Sequence, residues 1–417
     1  MSKSTAGTEA HPLRWSVSQI GARQHYGVPR GFHYKGHLRC LYTDIWSAWG
    51  GSFSQTRAPR LRALAGRYHR DLPSDKIVAF SLSSILSQLR GDSAEDVEQQ
   101  YEFYRRFGAR FAQKVTAHLK RQSLEPASDC FFGFNTGCLE TLEYLRQKNV
   151  VTVVDQIDPA RVEEDLVLRE TEKWPGWQKA TGRIPQAYYK RLASEWELAT
   201  LVLVNSNWSK NALIVQGVPA QKLVVMPVAF EPPAMSTLPR PLRNGPLRVL
   251  WFGTVNLRKG IQYLVEAARK LIDLDIQFTI AGPIAISRDA VRSAPKNIKF
   301  VGQISRDKAR EFYRTADVFV LPTISDGFAI TQVEAMAEGL PVVTTPNCGE
   351  VVTHGLDGVI VPAGNSDALA AALITLNDRR DLLAEMSYFA TRKSKTFHLP
   401  RQADEIEREI LTRLSAA

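Results

Sequence analysis

Two acidic residues eight positions apart, Asp326 and Glu334, lie in the stretch "SDGFAITQVEAMAEGLPVVTTP" (325–346), on either side of a helix start. The preceding "DVFVLPT" reads as a strand and "ISDGF" as a turn at its carboxyl end. A helix is expected from about Ala329 to Gly339, which ends it just before Pro341. In that reading the N–H groups of Gly327, Phe328 and Ala329 are free, with the positive end of the helix dipole behind them, an arrangement suited to an anion. Gly327 lets the backbone come close. At 1.5 Å per residue, Glu334 lies roughly 7–8 Å further along the axis than Ala329. One carboxylate can then address one end of an extended ligand, and the other a group beyond the anion. A carboxylate accepting from two adjacent hydroxyls holds a ribose, and a second can orient a sugar ring. Sugar, diphosphate and ribose in that order are the layout of a nucleotide sugar.

The elements around this pair have the alternation of βαβ units. In the second half "RVLWFG", "QFTIAG", "IKFVG", "DVFVLPT", "PVVTT" and "GVIVP" alternate with amphipathic segments such as "IQYLVEAARKLI", "SRDKAREFYRT" and "SDALAAALITL". The first half carries strands at "LRWSVS", "KIVAFSL", "CFFGFN", "VVTVVDQ", "LVLVNS" and "KLVVMPV", and a long helix in "SAEDVEQQYEFYRRFGARFAQKVTAHLKRQ". Several strands are apolar throughout, as strands buried on both faces should be. Between the halves, "EPPAMSTLPRPLRNGP" (231–246) has five prolines and no apolar period, and reads as a linker. The expected organisation is therefore an N-terminal domain over 1–230, a linker over 231–246, a C-terminal domain over 247–395, and a helix over 396–417 able to pack back on the first domain. Two doubly wound, Rossmann-like α/β domains would face a ligand cleft at the carboxyl ends of their strands.

A chain of 417 residues exceeds one ordinary core, and 44% apolar with 23% charged residues is the composition of a folded, water-soluble protein. No apolar run approaches the roughly 20 residues of a membrane span, and "MSKSTAGTEAHP" lacks a signal-peptide core, so a cytoplasmic protein is expected. Cys40, Cys130, Cys138 and Cys348 have no metal-ligand spacing and are read as reduced core or loop thiols. The net charge of +10 is uneven: residues 1–125 hold 19 Lys and Arg against 10 Asp and Glu, whereas residues 246–417 hold 21 against 20. The basic runs, among them "RAPRLRALAGRYHR", are either solvated helix faces or a surface for nucleic acid, phosphorylated substrates or the anionic inner face of a membrane. No helix-turn-helix, zinc or aromatic RNA-binding signature accompanies them, so no nucleic-acid partner is expected.

The stretch 325–345 resembles the acidic-x7-acidic signature of retaining glycosyltransferases of family 4, which have the two-domain GT-B fold. The likeness runs on through "WFGTVNLRKGIQYLVEAARKL", "FTIAGP", "NIKFVGQISRDKAREFYRTADVFVLPT" and "GLDGVIVPAGNSDALAAALITL", over nearly all of 246–378. Before residue 230 it rests on element order and on "LATLVLVNSNWSKNALIVQGVPAQKLVVMPVAFE". The resemblance implies a nucleotide-diphosphate sugar donor, a UDP- or GDP-sugar, and a glycan, lipid-linked or small-molecule acceptor. It implies that Glu334 binds the ribose, that Asp326 contacts donor-sugar hydroxyls, and that Lys259 neutralises the departing diphosphate. Gly253 and Thr254 would lie at the donor, and Gly302, Gln303 and Ile304 would border the nucleobase. Asp326 stands where the family usually has Glu, one methylene longer. Thr254 stands where it often has a basic residue, a charge that Arg258 can supply.

The same resemblance implies metal-independent hexosyl transfer. The one Asp-x-Asp pair, Asp273 and Asp275, precedes the strand "QFTIAG" and so falls at its amino end, away from the expected cleft. Asp155, near where the family often has a His, either reaches the cleft or caps a strand end. Gly21 follows the first strand and is expected near the donor phosphates, with Arg23 or His25 facing the acceptor. Trp174 and Trp177 either stack on sugars or pack in a core. A sugar-nucleotide 2-epimerase of the same architecture is the alternative activity, and a donor-only assay separates the two.

Overall fold

The computed structural model describes residues 12–48, 64, 66–81, 96–178, 182–231 and 244–415. Most of the expected linker, residues 232–243, and most of the basic run 57–70 lie outside the described residues.

Two parallel sheets organise the chain. The first contains β1 (Arg14–Gln19), β2 (Leu38–Thr43), β3 (Ile77–Ala79), β4 (Asp129–Phe134), β5 (Val151–Gln156), β6 (Leu201–Val204) and β7 (Leu223–Val225), in the order β3-β2-β1-β4-β5-β6-β7. The second contains β8 (Leu247–Phe252), β9 (Ile276–Ala281), β10 (Ile298–Gly302), β11 (Val318–Leu321), β12 (Val342–Thr344) and β13 (Gly358–Ile360), in the order β10-β9-β8-β11-β12-β13. Each sheet starts in its middle, winds to one edge, returns beside its first strand and winds to the other, which is the doubly wound pattern. The apolar runs become the strands buried on both faces, "LVLV" in β6 and "VFVL" in β11 being buried at every position.

Among the described residues the α-helices are α1 (Gly27–Tyr34), α2 (Val97–Leu119), α3 (Leu139–Arg146), α4 (Arg161–Lys173), α5 (Gln186–Leu198), α6 (Asn207–Val215), α7 (Ile261–Lys270), α8 (Arg288–Arg292), α9 (Arg306–Thr315), α10 (Thr331–Ala337), α11 (Ser366–Asp378), α12 (Arg380–Ser394) and α13 (Leu399–Ser415). Side-chain caps set several starts: Asp96 accepts from Gln99 N, Ser206 from Ser209 N and Asn365 from Ala368 N.

The chain divides into two compact units, Met1–Gln156 with Pro185–Leu203 and Ile406–Ala417, and Ile157–Ile184 with Val204–Glu405. In the first, Trp15 stacks on Phe32 with ring centroids 4.4 Å apart, and its Nε1 donates to Glu407 Oε1 at 3.0 Å. Lys35 Nζ and His37 Nδ1 meet the same carboxylate at 2.6 and 2.7 Å. In the second, β8 packs Leu247, Val249 and Trp251 into a core with Phe278, Leu264 and Leu373. The segment with α4 belongs to this second unit by specific contacts. Glu170 accepts from Gln262 Nε2 and the Tyr263 hydroxyl, Lys173 Nζ donates to that hydroxyl at 2.8 Å, and Arg161 N donates to Gln216 Oε1 at 3.1 Å.

Candidate active site

In the second sheet β8 and β11 are hydrogen-bonded neighbours, with Val249 opposite Val318 and Leu250 opposite Phe319. The connections leaving them run to opposite sides, which makes their carboxyl ends the topological switch point where ligands of such sheets bind. Lys259 follows β8 and Asp326 follows β11.

The approach of these two segments is built into the backbone. After β8 the chain makes a single 3-10 turn, Leu257–Lys259, capped by Asn256, whose Oδ1 accepts from Lys259 N at 3.0 Å. Gly260 ends the turn at φ +73°, and a Cβ there would stand 1.7 Å from the Pro322 carbonyl oxygen, so no other residue lets the turn lie against the end of β11. The Arg258 carbonyl is fixed by Ile324 N at 2.9 Å and Thr323 Oγ1 at 3.1 Å. Two cationic side chains are thereby delivered to the turn that carries Asp326.

That turn differs from the sequence expectation. The helix begins at Thr331, two residues later than Ala329, and Ala329 has φ +61°. The N–H groups of Phe328 and Ala329 are not free: both donate to Asp326 Oδ1, at 3.3 and 3.1 Å. An aspartate two and three residues ahead of these donors closes a local turn that competes with helix. Phe328 and Ala329 are themselves buried. Gly327 does allow a close backbone approach, but to this chain's own segment: a Cβ there would lie 1.9 Å from the Ile157 carbonyl oxygen.

With Oδ1 committed to the turn, Asp326 presents Oδ2 to the cations. It forms an ion pair with Lys259 Nζ and lies 3.8 Å from Arg258 Nη1. Arg258 Nη1 also lies 3.4 Å from Glu163 Oε2 on α4 and 3.3 Å from the Ser325 carbonyl oxygen. Ser325 is fully buried, and its Oγ accepts from Trp208 Nε1 at 3.1 Å. Burial, reinforced by the neighbouring Arg258, pushes the Lys259 ammonium down to about 7, while Glu163 pulls the other way. Burial holds the Glu163 carboxyl above the ordinary carboxylate range against the pull of Arg258. Two cations and two carboxylates thus share one partly dry site.

Glu334, on α10, is held from a different direction. The Tyr313 hydroxyl on α9 donates to its Oε2 at 2.9 Å, and Tyr313 is wedged against Phe252 and Phe319. Burial, then the nearby carboxylate, raises the Tyr313 hydroxyl well above its ordinary range, so it stays a donor. Gly253 and Thr254 follow β8 directly, Thr254 being exposed, and Gln303 (exposed) and Ile304 (half-buried) follow Gly302 at the end of β10. Asp273 and Asp275 are exposed just before β9, at its amino end.

The first unit treats its expected site residues differently. Gly21, at φ +83°, donates its N–H to Asp44 Oδ1 at 2.8 Å, and Arg67 Nη1 binds the same carboxylate at 3.0 Å, so that N–H is already used within the fold rather than offered to a phosphate. Gln24, His25 and Tyr26 form a left-handed turn, with His25 exposed, and the Arg23 guanidinium lies over the Phe134 ring. Asp155 is buried one residue before the end of β5, and its carbonyl accepts from Asn135 N. The N-terminus of α3 is filled by the chain itself, Glu195 accepting from Cys138 N and Leu139 N. In the second unit the half-buried Trp174 packs edge-on to Trp177 and to Tyr263, and Trp177 packs against the core. All four cysteines are free and buried.

Comparison with known proteins bears on the second unit above all. Residues 246–379 match the family model described as glycosyl transferases group 1. Among curated proteins, the chain is similar to an amylovoran biosynthesis glycosyltransferase of Erwinia amylovora, at 29% identity over 54% of this chain and 59% of that one. It is similar to a lipopolysaccharide core biosynthesis mannosyltransferase of Rhizobium meliloti, at 30% over 47% and 59%, and to a phosphatidyl-myo-inositol mannosyltransferase of Mycobacterium leprae, at 36% over 31% and 36%. The matches therefore span 59% or less of the length of these relatives. Among solved structures, sucrose-phosphate synthase from Thermosynechococcus elongatus superposes with a TM-score of 0.65 at 16% identity, covering 97% of this chain and 100% of that one. Anabaena HepE, solved in complex with UDP and glucose, superposes with a TM-score of 0.58 at 16% identity, covering 96% and 100%. The fold is GT-B, two Rossmann-like parallel-sheet α/β domains. No helix among the described residues is long and apolar enough to cross a membrane.

Glu163, Tyr313 and Trp208 escaped the sequence reading. Glu163 sits in the polar run "VEED" of α4, where nothing local marks it as a partner of a residue 95 positions away. Tyr313 follows Phe312 in "REFYRT" and reads as one more apolar-face residue of α9.

Proposed function

We propose that this chain is a glycosyltransferase that moves a hexosyl group, with retention of anomeric configuration and without a metal ion, from a nucleotide-diphosphate sugar to a glycan, glycolipid or small-molecule acceptor. The observation that carries this reading is the pair Arg258 and Lys259, adjacent in sequence and gathered with Asp326 at the β8/β11 switch point. The activities of the relatives, amylovoran biosynthesis and phosphatidyl-myo-inositol mannosyl transfer, support the same pathway class, and the UDP complex of Anabaena HepE supports a UDP-sugar donor, with a GDP-sugar as the other candidate.

In this reading the donor diphosphate lies against Arg258 and Lys259. As the glycosidic bond breaks, the leaving nucleoside diphosphate gains negative charge, so fixed cations there favour the transition state over the ground state. Asp326, anchored by Oδ1 in its turn, offers Oδ2 to donor-sugar hydroxyls, and Glu334 accepts the ribose hydroxyls through the oxygen that Tyr313 leaves free. The departing phosphate, on the face where the acceptor attacks, helps take the acceptor proton. The surplus of cations in residues 1–125 is read as a peripheral contact with an anionic membrane carrying lipid-linked acceptors, which co-sedimentation with anionic vesicles at low salt would detect and its absence would refute.

The test of the activity is product analysis with UDP-glucose and GDP-mannose in the presence of a membrane-lipid extract. Release of nucleoside diphosphate, with label moving to the acceptor fraction, supports transfer. Return of the sugar as its 2-epimer, or no turnover of any nucleotide sugar, contradicts it.

A further inference from the structure

We propose that Glu163 is the resident counter-ion of the donor site: its carboxylate occupies, in the free protein, the side of Arg258 that a donor diphosphate takes on binding, and it must surrender that cation before the donor is held. This rests on the donor reading above and goes beyond it by adding a residue from α4, outside the stretch 246–379.

Three observations carry it. First, the contacts of Arg258 Nη1, at 3.4 Å to Glu163, 3.8 Å to Asp326 and 3.3 Å to the Ser325 carbonyl, are long for charge-assisted hydrogen bonds, which run about 2.7–2.9 Å. A guanidinium shared among three acceptors at such distances is available to a better one. Second, with Lys259 protonated the four charges Arg258, Lys259, Glu163 and Asp326 sum to zero, and a nucleotide-sugar diphosphate adds two negative charges. One resident carboxylate has to yield, because an anion left without its cation in a partly dry site is strongly disfavoured. Third, the two carboxylates are not equally free to do so. Asp326 is tied by Oδ1 to the N–H groups of Phe328 and Ala329, whereas the Glu163 side chain hangs from the first turn of α4.

The α4 backbone itself cannot withdraw, being fixed to α7 through Glu170, Lys173, Gln262 and Tyr263. Release therefore proceeds by protonation of the Glu163 side chain, which then rotates away from Arg258. The charged groups that face Glu163 are Arg258 and Lys259 from the 3-10 turn and Asp158 from the loop ahead of α4, with the Ser325 hydroxyl as a neutral partner. Burial and Asp158 favour the protonated acid, and both cations oppose it while they remain unclaimed. A diphosphate on Arg258 and Lys259 removes that opposition.

The test compares wild type with Glu163→Gln, using UDP-glucose and GDP-mannose as probes because their diphosphates exchange no proton near neutral pH. With both proteins in a Lys259→Arg background, whose cation does not titrate, displacement predicts that Glu163→Gln binds the probe about tenfold more tightly near pH 8, a difference of about 1.4 kcal/mol, and that the gap narrows as the pH falls and Glu163 takes up its proton. A merely structural role, holding Arg258 in place for the donor, predicts the opposite sign. Calorimetry in buffers of different ionisation enthalpy supplies a second reading in a Lys259→Arg background, where proton uptake on binding should occur with Glu163 and vanish with Gln. Weaker or unchanged binding by Glu163→Gln near pH 8 overturns the counter-ion role while leaving the donor reading intact. Failure of wild type to bind either nucleotide sugar overturns both.

Discussion

Tyr313 donates its hydroxyl to Glu334 Oε2 across 2.9 Å, from a ring buried between Phe252 and Phe319. A carboxylate on a seven-residue helix is thereby held in one orientation, with its second oxygen left for a ligand. Tyr313→Phe removes the hydroxyl and keeps the packing. It should raise the donor KM about 10- to 100-fold, the worth of one hydrogen bond to a charged group, and change kcat less than twofold. Steady-state kinetics at saturating acceptor checks this, and an equal fall in kcat with unchanged KM would show that Tyr313 does not act through ground-state donor binding.

Lys259 touches Asp326 and flanks Arg258, the position from which it would neutralise a leaving diphosphate. Preorganised donors of this kind contribute about 3–4 kcal/mol, so Lys259→Ala should lower kcat by roughly 10²–10³. A drop of less than about fivefold would remove Lys259 from that role.

The ammonium of Lys259 is pushed down to about 7 by burial. Its sign of effect on binding is fixed: an anionic donor prefers the protonated amine and raises its pKa, so the Lys259 contribution to affinity is steady below about pH 7 and falls above it, by up to tenfold per pH unit. In a Glu163→Gln background, which removes the other titrating group of the site, Lys259→Arg keeps its charge throughout and should flatten this profile between about pH 7 and 8.5. An identical slope in the arginine variant would assign the dependence elsewhere.

Gly327 lies so close to the Ile157 carbonyl that a methyl group has no room, a Cβ falling 1.9 Å from that oxygen. Gly327→Ala should cost about 2–3 kcal/mol of stability, in the range of overpacked positions. Denaturant unfolding measures it, and a change below about 0.5 kcal/mol would show that the 157–158 segment moves aside freely.

The proposed chemistry assigns charge neutralisation to Arg258 and Lys259. Turnover should persist in EDTA, and complete loss restored by manganese would reassign that task to a metal.

The repeating strand and helix periods made the doubly wound architecture legible, because a strand buried on both faces must be apolar throughout, and "VFVL" has no other economical placement. Lys259, Arg258 and Asp326 were legible as a set only through the resemblance, yet the structure does bring them together. The detail of the acidic turn was not legible. Asp326 can either leave its N–H neighbours to a helix or capture them itself, and the choice depends on Asn347, whose carbonyl receives Asp326 N from 21 residues away. Glu163 was invisible for the same reason at larger scale, since its partner Arg258 is set by the docking of α4 on α7, not by any local pattern.

Donor binding between Lys259 and Glu334 is best measured by thermal shift with UDP-, GDP- and ADP-sugars on wild type, Lys259→Ala and Glu334→Ala, since a ligand that binds only the folded state raises its melting temperature. One nucleotide class should stabilise the wild type, and both substitutions should abolish or sharply reduce the shift. No shift with any nucleotide sugar, or equal shifts in all three proteins, would contradict donor binding there.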